Sequence, residues 1–167
     1  MLAWQPGSGQ RALDAARARW LANPADHYRM VVRMKGWGGC TQDAVVRHEW
    51  VTDVAENTCR YFSPRTVTGL FREIERFLSA PEIGASCRRG IAGRDCACFA
   101  PYRVNVRYHP QLGYPEEVIV TLDGYAPNRA HLHYWRYLLR HGREPACGGP
   151  VEPGGRHLVV ERFEALP

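Results

Sequence analysis

The chain has 167 residues, which is enough to bury the core of one domain but short for two. Its formal charge of +5 comes almost entirely from arginine, because Lys35 is the only lysine among 22 basic residues. A GC-rich genome produces the same arginine bias, so the charge is weak support for nucleic acid, which we expect not to be a partner. No apolar run approaches the roughly 20 residues that span a bilayer, so we expect no transmembrane segment in this chain.

The six cysteines indicate where the protein works. An even number of scattered cysteines is typical of disulfides in an oxidising compartment, which predicts a secreted, periplasmic or lipid-anchored protein. The opening MLAWQPGSGQRALD has no basic and apolar segments of a signal peptide, so we expect the sequence to begin near a mature terminus. A cytosolic protein with reduced thiols is the alternative.

The first third of the chain predicts a helix followed by a meander. Apolar residues at spacings of three and four predict a helix over about 10–22. Alternation with a period of two then predicts a strand over 28–34 and a second over 46–51. A shorter run follows toward Tyr61, with Glu56-Asn57 as the expected turn.

The middle of the chain predicts a core helix, a loop and a hairpin. Thr66 is a suitable N-cap for an apolar helical stripe that continues to Leu78. Glycines and three cysteines without apolar periodicity predict a crosslinked loop over 81–100. Alternating strands over 102–108 and 118–122, joined by a glycine-containing turn, predict an antiparallel hairpin.

The remainder completes an α+β fold. The run over 128–141 has helical spacing with strand-like aromatics, and its length favours a helix. HLVVERF predicts a short final strand. We therefore expect one α+β domain over 1–167, an antiparallel sheet of a meander plus a hairpin, with helices packed on one face and disulfides stapling it.

One turn carries a family resemblance. The helix with Leu70-Phe71, followed by a YxPxxGYP hairpin, resembles an exported bacterial domain family of unknown function. The resemblance covers about residues 11–122, whereas the Cys-containing tail over 123–167 departs from it. It implies an architecture and an extracytoplasmic location, with no catalytic residues. The turn signature consists of Tyr108, Pro110, Gly113, Tyr114 and Pro115.

The cysteines are expected to form up to three structural disulfides. Cys40 and Cys59 flank the meander and could tie its ends. The other four would form two bridges that bind the loop and the tail to the hairpin, and Cys96 does not suit Cys98 as a partner across one residue. Fifteen connectivities are possible, so the pairing stays open. The other four are Cys87, Cys96, Cys98 and Cys147.

Metal binding is the alternative use of these residues. The CxC element together with His131, His133 and His141 offers ligands for zinc, but the spacing is not diagnostic. On a helix, His131 and His133 would point about 200° apart. We therefore expect structural disulfides and no metal or other cofactor.

Enzymatic activity is not indicated. The sequence lacks a nucleophile elbow, a zinc-protease motif, a P-loop and a dinucleotide fingerprint. The carboxylate pairs Glu73/Glu75 and Glu116/Glu117 are expected to form solvated ion pairs with arginines.

The tail offers a possible partner surface, since Tyr, Trp and Arg dominate interface hot spots. We expect a protein-binding or inhibitory module for another extracytoplasmic protein. A structural subunit of a larger envelope or extracellular assembly is the alternative, and a metal-binding protein is a third. The same aromatics could instead close a small core. The surface residues are Tyr125, Arg129, Tyr134, Trp135, Arg136 and Arg140.

Overall fold

The computed structural model describes residues 8–36, 39–60, 62–79, 82–83, 97–122, 126–147 and 156–167. These residues form an α+β fold, as predicted. The elements are α1 (Ser8–Ala22), β1 (His27–Lys35), β2 (Cys40–Arg47), β3 (Trp50–Asn57), α2 (Val67–Ser79), β4 (Glu82–Ile83), β5 (Cys98–Tyr108), β6 (Pro115–Leu122), β7 (Ala126–Pro127), α3 (Leu132–His141) and β8 (Arg156–Ala165).

The described residues divide into two compact units. The sheet unit contains those within 8–79, 104–120 and 156–167. The tail unit contains those within 82–103 and 121–147, including α3. The single-domain assignment stays a prediction.

Six strands form one antiparallel sheet in the order β3-β2-β1-β8-β6-β5. β8 lies between β1 and β6, so it joins the meander to the hairpin. Met30 illustrates the register, because it pairs with Ala44 on one side and with Phe163 on the other. The predicted short final strand is thus a central strand of ten residues.

One face of the sheet carries the apolar core under α1 and α2, which confirms the predicted packing. The alternation of β1 turns Tyr28, Met30 and Val32 inward. The ring of Trp20 in α1 packs edge-to-face with Tyr28 and with Phe163. The ring centroids are 5.8 Å and 5.9 Å apart, respectively. The buried helix residues are Leu13, Ala16, Trp20, Val67, Leu70, Phe71 and Ile74.

The first turn of α2 receives hydrogen-bond acceptors from three parts of the sheet unit. The Tyr28 hydroxyl accepts from the Val67 amide at 3.0 Å, and burial raises the Tyr28 pKa. Thr66 accepts from the Gly69 amide at 3.0 Å, as its N-cap role predicts. Glu49 accepts from an amide of the same turn at 3.3 Å. The start of the helix is thereby fixed to the sheet.

The predicted turn at Glu56-Asn57 is wrong, because the chain reverses at His48-Glu49. Both residues have positive φ, 48° and 63°, a conformation that glycine and asparagine usually occupy in hairpin turns. The sequence therefore carries no turn signal there, and the alternation continues through the reversal. Asn57 instead ends β3, where its side chain accepts from the Cys59 amide at 3.0 Å.

The β5–β6 turn explains the predicted glycine signature. Gly113 has φ of 81°, and a Cβ there would lie 2.2 Å from the carbonyl oxygen of Ala16. His109 closes the turn, since its amide donates to Tyr114 at 2.8 Å and its ring stacks on Tyr114. The turn can contact the α1 backbone only with glycine at position 113.

A buried polar network holds the segment before α2. Gln42 is buried and donates to the carbonyl oxygens of Phe62 and Ser63, both at 3.0 Å. Arg65 donates to Glu73 at 3.0 Å, and Arg156 forms an ion pair with the same carboxylate. These hydrogen bonds and ion pairs compensate the burial of Gln42 and Glu73 and hold the segment before α2 in place.

Candidate binding surface on the third helix

The helix α3 is defined by its caps. His131 precedes it in an extended conformation, and its ring accepts from the His133 amide at 3.3 Å. Gly142 ends it with φ of 64°, donating its amide to Leu138 at 2.8 Å. The helix begins at Leu132, four residues after the start of the predicted segment. The prediction of a helix here is confirmed.

Both ends of the segment that bears α3 attach to the start of β5. Before the helix, β7 pairs with β5 through Cys98 and Pro127, and the Asn128 amide donates to Ala97 at 2.8 Å. After the helix, Cys147 is bonded to Cys98. The segment 126–147 is therefore a closed loop that carries the helix.

Glu144 links two side chains within this loop. Its carboxylate accepts from the Tyr134 hydroxyl at 2.7 Å and from Arg129 at 2.7 Å. These two hydrogen bonds lower the Glu144 pKa, and the bond to Glu144 raises the Tyr134 pKa. The indole of Trp135 donates to the Arg129 carbonyl at 3.0 Å. These bonds fix the rotation of α3 within its own loop.

The outward face of α3 exposes large apolar side chains. Leu132 is 60% exposed, Trp135 is 51% exposed and Leu139 is 85% exposed. Their spacing of three and then four residues puts them on one side of the helix. Contiguous exposed apolar side chains, in contrast to isolated ones, mark interaction sites. We call these three residues the α3 stripe.

Arginines border the α3 stripe. Arg136 and Arg140 are exposed on the same side of the helix, and Arg143 is exposed just beyond its end. Within the described ranges, no carboxylate lies at ion-pair distance from any of these three arginines. The α3 stripe therefore lies beside three arginines that have no ion-pair partner in the part of the chain that the structure describes.

The predicted partner residues have different surroundings. Tyr134 is buried, at 3% exposure, and supports the helix rather than presenting a ring to solvent. Arg129 is engaged by Glu144. Trp135, Arg136 and Arg140 are exposed as expected, while Tyr125 lies outside the described residues.

The sequence analysis missed two members of the surface, Leu132 and Leu139. A signal was present, because apolar residues occupy both sides of the helix: Tyr134 and Leu138 on one side, the α3 stripe on the other. A helix with two apolar faces either is buried on both faces or exposes one of them to solvent or to a partner.

Two disulfides are present in the described residues. The predicted Cys40–Cys59 bridge is confirmed. Cys98 is bonded to Cys147, one of the pairings left open by the sequence. Cys87 and Cys96 lie outside the described residues.

The residues that the alternative of metal binding would use near α3 are not arranged as a ligand set within the described ranges. Cys98 and Cys147 are joined as a disulfide and so present no thiolate. The rings of His131 and His133 stack at 5.0 Å, because His131 is the cap and not part of the helix. Among the described residues, no group of three or more His, Cys, Asp or Glu side chains could hold a metal ion.

The carboxylate pairs of the sequence lie in ion pairs. Glu75 is paired with Arg17 at 2.9 Å. Arg107 contacts Glu116 at 3.4 Å and Glu117 at 3.7 Å. These contacts are those of ion pairs at the surface of the sheet unit. For Glu73 the expectation of a solvated pair is wrong, because its ion pair with Arg65 at 3.0 Å is largely buried.

Two of the clefts that described residues line lie in the sheet unit. The larger, about 350 Å³, is bordered by His27, His48 and the end of β8, and the His27 ring lies 2.8 Å from the Pro167 oxygen. The smaller, about 310 Å³, lies between α1, α2 and β5, next to Leu78 and Val106.

The edge strand β3 is the other exposed feature of the sheet unit. Trp50 is 78% exposed on it. Two bulges interrupt its pairing with β2, and Asp53 and Glu56 add negative charge. Bulges and charges are the devices by which sheet edges avoid pairing with another chain. This edge is thus poorly suited to the strand pairing that a structural subunit would use.

No family model matches the chain, and neither a curated protein nor a solved structure matches it. The family resemblance of the sequence therefore stays a prediction. Within the described ranges, no helix is long and apolar enough to cross a membrane.

Proposed function

We propose that this protein is a non-enzymatic binding module of an extracytoplasmic compartment and that it binds another protein through the outward face of α3. The single observation that carries the proposal is the α3 stripe, Leu132, Trp135 and Leu139, which is exposed on a well-capped helix. The bound protein could be inhibited or only held.

The spacing of the stripe suits helix recognition. Helices that dock into grooves present anchors at positions i, i+3 or i+4, and i+7. Leu132, Trp135 and Leu139 occupy i, i+3 and i+7. Tryptophan and arginine are the residues that most often dominate interface energies, and here Arg136 lies beside Trp135.

The loop around α3 favours tight binding because it orders the helix before any partner arrives. The hydrogen bonds of Glu144 and the Cys98–Cys147 bridge restrain the helix in the free protein. A preorganised helix loses less conformational entropy on binding than a disordered segment does.

The location rests on the disulfides. Bridges such as Cys40–Cys59 and Cys98–Cys147 are typical of an oxidising, extracytoplasmic environment. We propose further that the protein is secreted, periplasmic or lipid-anchored, and its resemblance to an exported bacterial family supports this location.

Photocrosslinking tests the proposed surface. A photoreactive amino acid is placed at Leu139 and, in a matched control, at Leu21, which is 68% exposed on α1. We expect a discrete adduct from position 139 alone in the cells that produce the protein. The crosslinked protein is then purified, and its affinity is measured for wild type and for Leu139→Ser and Leu21→Ser.

Leu139→Ser should weaken that affinity at least about tenfold, because it replaces an apolar anchor of the α3 stripe with a polar side chain. Leu21→Ser should leave it unchanged. Identical adducts from both positions, or equal affinities of both variants, would reject the α3 stripe as the binding surface.

A further inference from the structure

We propose that the surface recognised by α3 is an apolar groove with an acidic rim on another protein. The inference rests on the proposed function and adds the chemistry of the partner. It is carried by the juxtaposition of the α3 stripe with Arg136 and Arg140 on one side of the same helix.

Positive charge exceeds negative charge in the segment that bears α3. Segment 126–147 contains four arginines and a single carboxylate, Glu144. Arg129 forms an ion pair with that carboxylate, and the Tyr134 hydroxyl donates a hydrogen bond to it. Arg136, Arg140 and Arg143 therefore project positive charge toward whatever covers the stripe.

The arginines lie on one flank of the stripe. At 3.6 residues per turn, Arg136 and Arg140 lie about 40° and 80° from Leu132 around the helix axis. Trp135 lies about 60° from Leu132 in the opposite direction. A complementary groove therefore receives Trp135 and the leucines along its floor and presents carboxylates along one wall.

Arginine suits carboxylates for geometric reasons. Its planar guanidinium donates two parallel hydrogen bonds to one carboxylate, which makes such pairs directional as well as strong. The sheet unit already contains this pairing, since Arg29 donates to Asp43 through Nε at 2.8 Å and through Nη2 at 2.7 Å.

Two other occupants fit less well. A second copy of the chain would bring Arg136 and Arg140 of both copies together, and like charges oppose such a contact. An anionic lipid surface would receive only three apolar side chains from a helix of ten residues. Membrane attachment strengthens with buried apolar area, so this stripe is a small anchor.

A random peptide library tests the inference because it samples many candidate binding sequences at once. Phage displaying 16-residue random peptides are selected on the folded, oxidised protein and counter-selected on the double variant Trp135→Ala/Leu139→Ala. We expect the enriched peptides to place Asp and Glu beside apolar anchors. A synthetic peptide of the most enriched sequence then serves as the probe.

Matched charge variants measure the role of the arginines. Arg136→Gln/Arg140→Gln should weaken binding of the probe peptide at least tenfold, and added salt should weaken binding to wild type. The control is Arg72→Gln/Arg76→Gln, a pair of exposed arginines with the same spacing on α2, which should bind like wild type.

The outcomes separate the two proposals. Enrichment of neutral or basic peptides that depends on Trp135 would overturn the acidic partner and leave α3 as a binding surface. A selection without Trp135-dependent peptides would overturn both. Binding to vesicles of equal phosphatidylglycerol and phosphatidylcholine, or self-association, that is lost in Trp135→Ala would overturn the protein partner in favour of a lipid or a second copy.

Discussion

Several arginines of the sheet unit are paired with carboxylates, whereas Arg136 and Arg140 on the outward face of α3 have no such partner among the described residues. Arg29 contacts Asp43 at 2.7 Å, and Arg65 contacts Glu73 at 3.0 Å. Arg136 and Arg140 contact no carboxylate in the described part of the chain. Arg29 and Arg65 thus contribute to the fold through their ion pairs, whereas Arg136 and Arg140 make no such contact within the described ranges.

Leucines show the same difference. Leu70 on α2 is buried in the core, while Leu139 on α3 is exposed. Because burial of apolar surface stabilises a fold, the two helices use their leucines differently. Leu139 therefore contributes little to a core, and it lies in a set of three exposed apolar residues on one side of α3.

Replacing these leucines gives the largest expected difference. Leu70→Ala removes a buried side chain and leaves a cavity, so we expect the free energy of unfolding to fall by about 2–5 kcal/mol. Leu139→Ala should change it by less than about 0.5 kcal/mol. Urea unfolding of both variants measures the values, and equal losses would show that Leu139 is part of a core.

Removing each disulfide in turn tests how each bridge restrains its own unit. The double variant Cys98→Ala/Cys147→Ala removes a loop constraint of about 2–4 kcal/mol. We therefore expect the amides of α3 to exchange hydrogen at least tenfold faster, measured by mass spectrometry. Cys40→Ala/Cys59→Ala is the control and should leave α3 exchange near its wild-type rate. Unchanged α3 exchange in the first variant would mean that the bridge does not restrain the helix.

Two glycines with positive φ sharpen the comparison. Gly113→Ala places a Cβ against the Ala16 carbonyl oxygen, so the cost of the left-handed backbone, about 1–2 kcal/mol, adds to a clash. Gly142→Ala meets no atom within 4 Å and should cost only the same backbone term, about 1–2 kcal/mol. Thermal unfolding compares them, and similar losses would contradict the close approach of the turn to α1.

Acid should affect the paired carboxylate of the core more than the one near α3. Burial raises the Glu73 pKa. The hydrogen bond and charge of Arg65, together with the charge of Arg156, lower it by a larger amount, so the net pKa lies below the usual 4.5. Ionised Glu73 therefore stabilises the fold above about pH 4.5, and this contribution is lost as the pH falls through the folded-state value.

The variant Glu73→Gln should consequently lose less stability between pH 7 and pH 3 than wild type does, by on the order of 1 kcal/mol. Glu144→Gln, at an exposed pair, should follow the wild-type profile more closely. Urea unfolding across this pH range provides the comparison. A larger effect of Glu144→Gln would mean that the tail unit, not the core network, sets the acid sensitivity.

Much of the fold could be predicted from the sequence, since α1, α2 and β1 have clear periodicity and Thr66 marks a helix start. The turn at His48-Glu49 could not be predicted, because contacts from distant residues stabilise its positive-φ backbone. The Thr68 amide donates to Glu49, and the His48 amide donates to the Asp26 carbonyl at 2.7 Å. The central position of β8 depends on long-range pairing that no local pattern encodes.

The proposed α3 surface was predicted from the sequence only in part. Composition pointed to Trp135 and the arginines, but the side of α3 that faces inward depends on Glu144 and the Cys98–Cys147 bridge. Those contacts bury Tyr134 and expose Leu139, an assignment that helical spacing alone leaves open.

The most direct test of the α3 surface compares two exposed tryptophans. Trp135→Ala and Trp50→Ala each remove an exposed indole, on α3 and on the edge strand β3 respectively. Affinity is measured for the purified crosslinked partner. We predict that Trp135→Ala weakens binding by at least tenfold while Trp50→Ala leaves it unchanged. Loss of binding in Trp50→Ala with wild-type affinity in Trp135→Ala would contradict the account and transfer the binding site to the sheet edge.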